Sequence, residues 1–490
     1  MDSDEPSPHP LATTVGRRRA LRAGLLAALG FAVGGPDVFR PSSAAAEEPD
    51  PNPLSNPRTR MAHLLRRAGF GATTEELDRY EAMGFESAVD YLLNYEDVPD
   101  PIEDRLAPLD LDLTKQDHLK RWWLVRMAHT TRPLQEKMVL FWHGLLTSSL
   151  QKGNNPSFML NQNQYFREHA LGSFWQILLD ISKDPAMLYW LDGRNSRKEH
   201  PNENYARELM ELFTMGIGHY TEQDVREAAR AFTGWTVDKD GQAIFRPRVH
   251  DNGNKSFLGQ TGRFDGDGIV SIIVGQAATA EYISRRLFSF FAYRNPEPAV
   301  VRSLAETYVN SGFSIKAVVR AIFLSNAFSS AKAYRAIVKS PVELAVSTLR
   351  MLGITTDGNG LTGSLRAMGQ DIFAPPNVAG WPGGPAWLNS STWLQRVNFA
   401  NSITTRRTKD PEMSLNFSRL IQESGASSPK DLVQHFVDLL LDGSLATAAR
   451  DALEGYLFRP QALSLSARSL NTKGRDLLYL LLASPEYQVM

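Results

Sequence analysis

Apolar residues recur at helical spacing through residues 61–69, 73–83, 85–93, 115–129 and 133–146, with short polar or proline-bearing breaks between them. Five successive runs of this one period commit the chain to helices packed on helices. The clear exception is Trp235 to Arg246. There Thr236-Val237 and Ala243-Ile244-Phe245 flank Asp238-Lys239-Asp240-Gly241, and Asp-Gly is a favoured hairpin turn. The expected fold is mostly α: a large irregular multi-helix domain, a small β-hairpin insertion and a C-terminal helical bundle. Loop-like stretches rich in Gly, Thr, Ser and Asn or in mixed charge place the boundaries at 60–405 for the main helical domain and 406–490 for the C-terminal helical region.

The 490 residues suffice for a large core without covalent staples. There are no cysteines, which excludes disulfides, thiolate metal sites and thiol nucleophiles. With 53 basic against 54 acidic residues, nothing advertises a nucleic acid or an anionic membrane as partner. Near the start, Gly16-Arg17-Arg18-Arg19-Ala20-Leu21 precedes an apolar run from Ala23 to Val33, and Ala44-Ala45-Ala46 offers a small-residue cleavage site. This pattern predicts a twin-arginine-type export signal over 1–46, followed by a proline-rich linker over 47–59. The run of about 11 apolar residues is too short for a membrane span, which needs about 20, and no later segment is long and apolar enough. The mature protein is therefore expected in the periplasm or outside the cell, with no transmembrane segment.

The densest chemistry lies in His200-Pro201-Asn202-Glu203-Asn204-Tyr205-Ala206-Arg207-Glu208-Leu209-Met210-Glu211-Leu212-Phe213. Proline suits the first helical position, so the helix is expected to start at Pro201 with His200 as its cap. At about 100° per residue, Glu203, Asn204, Arg207, Glu208 and Glu211 share one side and the apolar residues the other. Two readings fit that wheel. One is a solvated surface helix laced by a Glu203–Arg207 pair. The other turns the polar face into a cleft, with Glu203 or Glu208 as general base or metal ligand, Arg207 holding it ionised or binding a substrate anion, and His200 and Asn204 beside the reacting centre.

This string, followed by GHYTEQDVREAARAFTGW at 218–235, resembles the signature of the bacterial family catalogued as domain of unknown function 1800. HLLRRAGFGAT from residue 63, RPLQEKMVLFWHG ending at Gly144, KSPVEL from 339 and PPNVAGWPGG from 375 match the family in order. The resemblance implies a mostly helical, exported bacterial protein and supplies no reaction. One departure from it is that members often carry a second histidine after the Trp-His pair, where here Gly144-Leu145-Leu146 follows His143. That weakens a metal site needing both.

Other motifs dissolve on inspection. Gly358-Asn359-Gly360-Leu361-Thr362-Gly363 mimics a dinucleotide glycine pattern but follows a helical run, so it reads as a loop. Asp265-Gly266-Asp267-Gly268 begins like a calcium loop, but Gln276 occupies the twelfth position, so it reads as a turn or helix cap. Among the ten histidines, His143, His200 and His250, with Asp251, form the candidate set for a divalent metal. Taken singly, each reads equally as a cap or a core hydrogen-bonder. The amide- and aromatic-rich segments 161–167, placed between helices, and 189–195, leading into the His200 helix, suit either a glycan or peptide groove or a buried network. They nominate Gln164, Arg167, Asp192 and Asn195 for substrate contact, with Trp235 and with Trp381 in the proline-glycine loop. Two functions remain open: a hydrolase, metal-assisted or not, acting on extracellular glycan or peptide polymer, or a non-enzymatic binding or assembly module of the cell envelope that meets a polymer or protein partner.

Overall fold

Proline and side-chain caps set where the helices begin. In the computed structural model, which describes residues 52–490 apart from 153, 154, 409, 410 and 460, the first helix runs Pro57–Ala68, with Asn56 accepting from Thr59 N. It starts a little before the expected residue 60 because Asn56 caps it and proline fits its first position. Capping boxes open the helices Thr74–Met83 (Thr73 with Glu76), Glu222–Ala231 (Thr221 with Asp224), Pro341–Met351 (Ser340 with Glu343) and Pro429–Leu441 (Ser428 with Asp431). Helices at Phe85–Leu93, Gln116–His129 and Pro133–Leu145 match the sequence periods within a residue or two. The predicted signal over 1–46 and residues 47–51 of the linker lie outside the described residues.

Two helices form the centre. All residues of Pro133–Leu145 except Gly144 are buried, and all of Pro341–Met351 except Arg350. Helices buried on every side belong to the interior of a large protein. Yet both carry charge, and Lys137 Nζ donates to Glu343 Oε1 between them. Around this pair lie Arg67, Lys339 and Arg396, each no more than 1% exposed. Arg67 Nη2 donates to Ala333 O at 2.7 Å, Arg396 Nη2 to Lys339 O at 2.9 Å, and the Lys339 ammonium sits 3.6 Å from the centre of the Tyr487 ring.

The C-terminal helices close over the same interior. Helix Ser390–Thr405 packs on Arg475–Leu482, Arg66 pairs with Asp442, and Val338 bridges Val489 in antiparallel fashion. Lys339 N donates to Gln488 O at 2.9 Å and Met490 N to Ile337 O at 2.8 Å. In the irregular loop from 375, Gly380 has φ +80°, and a Cβ there would stand 2.7 Å from Gly144 O, so the loop lies directly on the end of the central helix. Trp387 is buried beneath it.

The described residues contain two small antiparallel sheets. The expected hairpin pairs Trp235 with Phe245, Thr236 with Ile244 and Val237 with Ala243. Asp238 Oδ1 gathers the N–H groups of Asp240 and Gln242, and Gly241 takes φ +80°. A second hairpin, which the sequence did not announce, pairs Lys255–Phe257 with Gln260–Gly262 across Leu258-Gly259. Asp224 Oδ1 holds Leu258 N at 2.8 Å and so fixes the left-handed leucine (φ 46°). Asp265 caps the helix Gly266–Val274 through Gly268 N, as a cap reading of that motif requires. No helix among the described residues is long and apolar enough to cross a membrane.

Candidate functional site

The helix after His200 starts later than its proline suggests. Asn202, not His200, is the N-cap: its side chain accepts from Asn204 N at 2.9 Å, and the α-helix runs Glu203–Glu208. From Leu209 to Thr214 it widens into a π-helix, with Thr214 Oγ1 donating to Leu209 O. The α-helical wheel therefore does not apply beyond Glu208.

The polar face lies at the surface. Glu203 and Arg207 side chains are 41% and 34% exposed, and Arg207 gives Nη1 and Nη2 to Glu222 at 2.7 and 2.8 Å, with Glu203 at 3.3 Å. Asn204 and His200 are exposed; Glu208 is half-buried, and burial together with the neighbouring Glu211 raises its pKa. This is the solvated, ion-paired alternative of the two sequence readings, not the one that turns the face into a cleft.

Nor are the proposed metal ligands gathered. Among the described residues, no group of three or more His, Asp or Glu side chains is placed to hold a metal ion. His143 is buried among the rings of Trp123, Phe373 and Trp381, and its Nε2 accepts from Phe373 N at 3.1 Å. Burial pushes its pKa down to about 3, so the ring is neutral. Asp251 is clamped by Arg230 at 2.7 Å.

The residues nominated for substrate contact also separate. Segment 161–167 lies inside the helix Pro156–Glu168 and not between helices, because Asn155 caps that helix and Pro156 opens it. On it Gln164 points outward, while Arg167 is spent on Glu136 and Asn163. Asp192, at φ +59°, pairs with Lys152 at 2.6 Å, and Asn195 is exposed in the turn Gly193–Asn195. Beneath this region lies Asp184, which no sequence motif singles out. The residue keeps some exposure, but its carboxyl is enclosed, accepting from Gln162 Nε2 at 2.7 Å and from Met187 N at 2.9 Å.

A cavity does form where the two hairpins meet. Helix Glu222–Ala231 leads through Thr233 into Gly234, at φ +98°; a Cβ there would stand 2.9 Å from the Phe245 ring and 3.1 Å from His250 Cβ, so only glycine fits. His250 then docks back, with Nδ1 2.8 Å from Thr233 O. A carbonyl only accepts, so Nδ1 carries the proton and Nε2 is the nitrogen the ring can offer. Arg230 joins Asp251 to Glu227, and Lys255 Nζ donates to the carbonyls of Asp251 and Gly253 at 2.6 and 3.1 Å, which stiffens the turn between the hairpins. Arg263 Nε donates to Asn252 O at 3.2 Å. The cavity, open to solvent, has a volume of about 380 Å³ and is lined by Phe245, Phe264, His250, Asn252, Arg263, Asp265 and the buried Lys255.

The cavity and the polar helix meet through backbone. Lys198 N donates to Val249 O at 2.8 Å and Gly234 N to Ser196 O at 3.1 Å, while Tyr205 packs edge-on against Phe232 at 4.9 Å. The stretch before His200 thus braces the hairpin base. Of the sequence candidates, His250 lines the cavity and Trp235 adjoins it, 5.3 Å from Phe245. Gln164, Arg167, Asp192, Asn195 and Trp381 do not line it. Phe245, Arg263 and Phe264 were missed because the second hairpin that carries two of them to the first was not foreseen.

These elements define a mostly helical protein with a hairpin-walled surface cavity braced by its most polar sequence motif. The chain belongs to the family described as "Protein of unknown function (DUF1800)", which matches residues 63–489. No curated protein and no solved structure matches it.

Proposed function

We propose that this chain is an exported, non-enzymatic binding module of the cell envelope, and that the cavity between its hairpins takes one side group or unit of an extracellular polymer. The observation that supports this reading is the cavity itself: two aromatic side chains among polar ones and a volume of about 380 Å³, in the range of small-ligand clefts. The carboxylates that a hydrolase would use, Glu203 and Glu208, sit on a surface face where Arg207 is engaged by Glu222. Trp235, beside Phe245, is one of nine tryptophans, and its share of the emission is the part that Trp235→Phe removes.

Soluble polymer fragments, glycan and peptide, should therefore produce a saturable change in tryptophan emission that Phe245→Ala abolishes and Glu208→Gln leaves intact. Phe245 is 42% exposed, so its removal spares the core. New reducing ends or free amines appearing on incubation, and disappearing in Glu208→Gln, would instead establish the hydrolase and end the binding-only reading. Export is tested separately. Lysine in place of Arg17, Arg18 and Arg19 should hold unprocessed precursor in the cell, and normal release of mature protein would remove the twin-arginine route.

A further inference from the structure

We infer that the group held between the hairpins is an uncharged sugar unit, an inference that rests on the cavity being the binding site. The charges around it cancel in pairs. Arg230 and Lys255 are matched by Glu227 and Asp251: Arg230 bonds both carboxylates, and Lys255 Nζ lies 4.0 Å from Asp251 Oδ1. Lys255 is only 1% exposed and its ammonium is committed to two carbonyls, so it cannot serve as a free anion receptor. That leaves Arg263 and Asp265, one of each sign, on the rim. A fixed anionic or cationic ligand would satisfy one and repel the other.

A polyhydroxy ligand satisfies both. Each hydroxyl donates and accepts, so it can receive from a guanidinium or amide N–H and give to a carboxylate or a bare imidazole nitrogen. The lining offers this mixture: Arg263 and Asn252 can donate, Asp265 and the Asn252 amide oxygen can accept, and the His250 ring, whose Nδ1–H is held by Thr233 O, has Nε2 left for a hydroxyl. The planar guanidinium, amide and carboxylate groups suit adjacent hydroxyl pairs, which span two atoms of a rigid ring. The walls supply the rest. A pyranose carries axial C–H bonds on its faces, and these lie against the electron-rich face of an aromatic ring such as Phe245 or Phe264. A peptide side chain lacks this alternation of hydroxyl edge and C–H face.

The test is equilibrium titration of the full-length mature protein, followed by Trp235 emission, with four probes: cellotetraose, tetra-N-acetylchitotetraose, tetragalacturonate and tetra-alanine. Either neutral glycan should bind saturably, with an affinity that changes less than about twofold as salt is raised, because no fixed charge is screened. Arg263→Gln and Asp265→Asn should each weaken it roughly tenfold, the fold-change that follows from losing one good hydrogen-bonding partner. Asparagine caps helices as well as aspartate, so Asp265→Asn keeps the following helix. Tighter binding of tetragalacturonate or tetra-alanine, lost in Phe245→Ala, would overturn the sugar assignment and leave the cavity as the site. If none of the four probes gives a signal sensitive to Phe245→Ala, the cavity reading itself fails.

Discussion

Glu343→Ala should cost the fold about 3–5 kcal/mol. Lys137 is wholly buried and Glu343 is its ion-pair partner. Removing the carboxylate strands an ammonium beside the rings of Phe70 and Phe290, at 5.2 and 5.4 Å, with the positive charge of Arg67 acting against it. The same side chain also accepts from Ser340 N at 2.8 Å in the capping box, so the start of a central helix loosens at once. Urea unfolding followed by intrinsic fluorescence measures the change. Replacing the pair together, Lys137→Met with Glu343→Leu, should recover most of the loss, since burying two charges already costs much of what their attraction returns. Equal loss in the single and double variants would show that shape, not charge, governs the position.

Asp184→Asn should remove a stability gradient that lies on the acid side of neutral pH. Burial pushes the Asp184 carboxyl up to about 7 from an ordinary 3.8, although N–H groups of Met187, Gln162 and Ala186 all favour its charged form. Because the folded value lies above the unfolded one, the folded state holds the proton more tightly. The linked stability is then full below about pH 4, falls as pH rises toward 7 and stays low above it. The span amounts to at most about 4 kcal/mol at 1.36 kcal/mol per unit. Asparagine keeps the cap to Met187 and has no proton to lose. Wild-type urea midpoints should drop between about pH 4 and pH 7 by more than those of the variant. Parallel slopes in the two proteins would mean that Asp184 is ionised throughout.

Local signals in the chain suffice where a neighbour within four residues decides the outcome. Thr73 with Glu76, Ser340 with Glu343 and the prolines at 133 and 341 place helix starts without reference to anything distant. Asp240-Gly241 likewise turns the first hairpin. The Leu258-Gly259 turn was illegible because its left-handed leucine is held by Asp224, 34 residues earlier. The outward orientation of the polar helix was equally hidden. Its sequence shows the Glu203–Arg207 spacing, but the stronger partner, Glu222, reaches it only after the intervening loop has folded back. Lys137, Arg67 and Lys339 show the converse failure: charge in a sequence suggests water, and here the fold encloses it. The cavity joins Phe245, His250 and Arg263 from separate turns, so no single motif could announce it.

The pairing of Arg66 with Asp442 joins residues 376 positions apart, and the bridge of Val338 to Val489 seals Lys339 beneath it. During synthesis, the first helices therefore emerge long before the groups that neutralise and cover them. Until residues past 440 are available, Arg66 has no carboxylate partner and the central helices lack part of their lid, so the growing chain presents charged and apolar surface together. Completion of the interior is a late event set by topology, slow in proportion to the separations it must close. The last helices thus act as the latch that closes the interior.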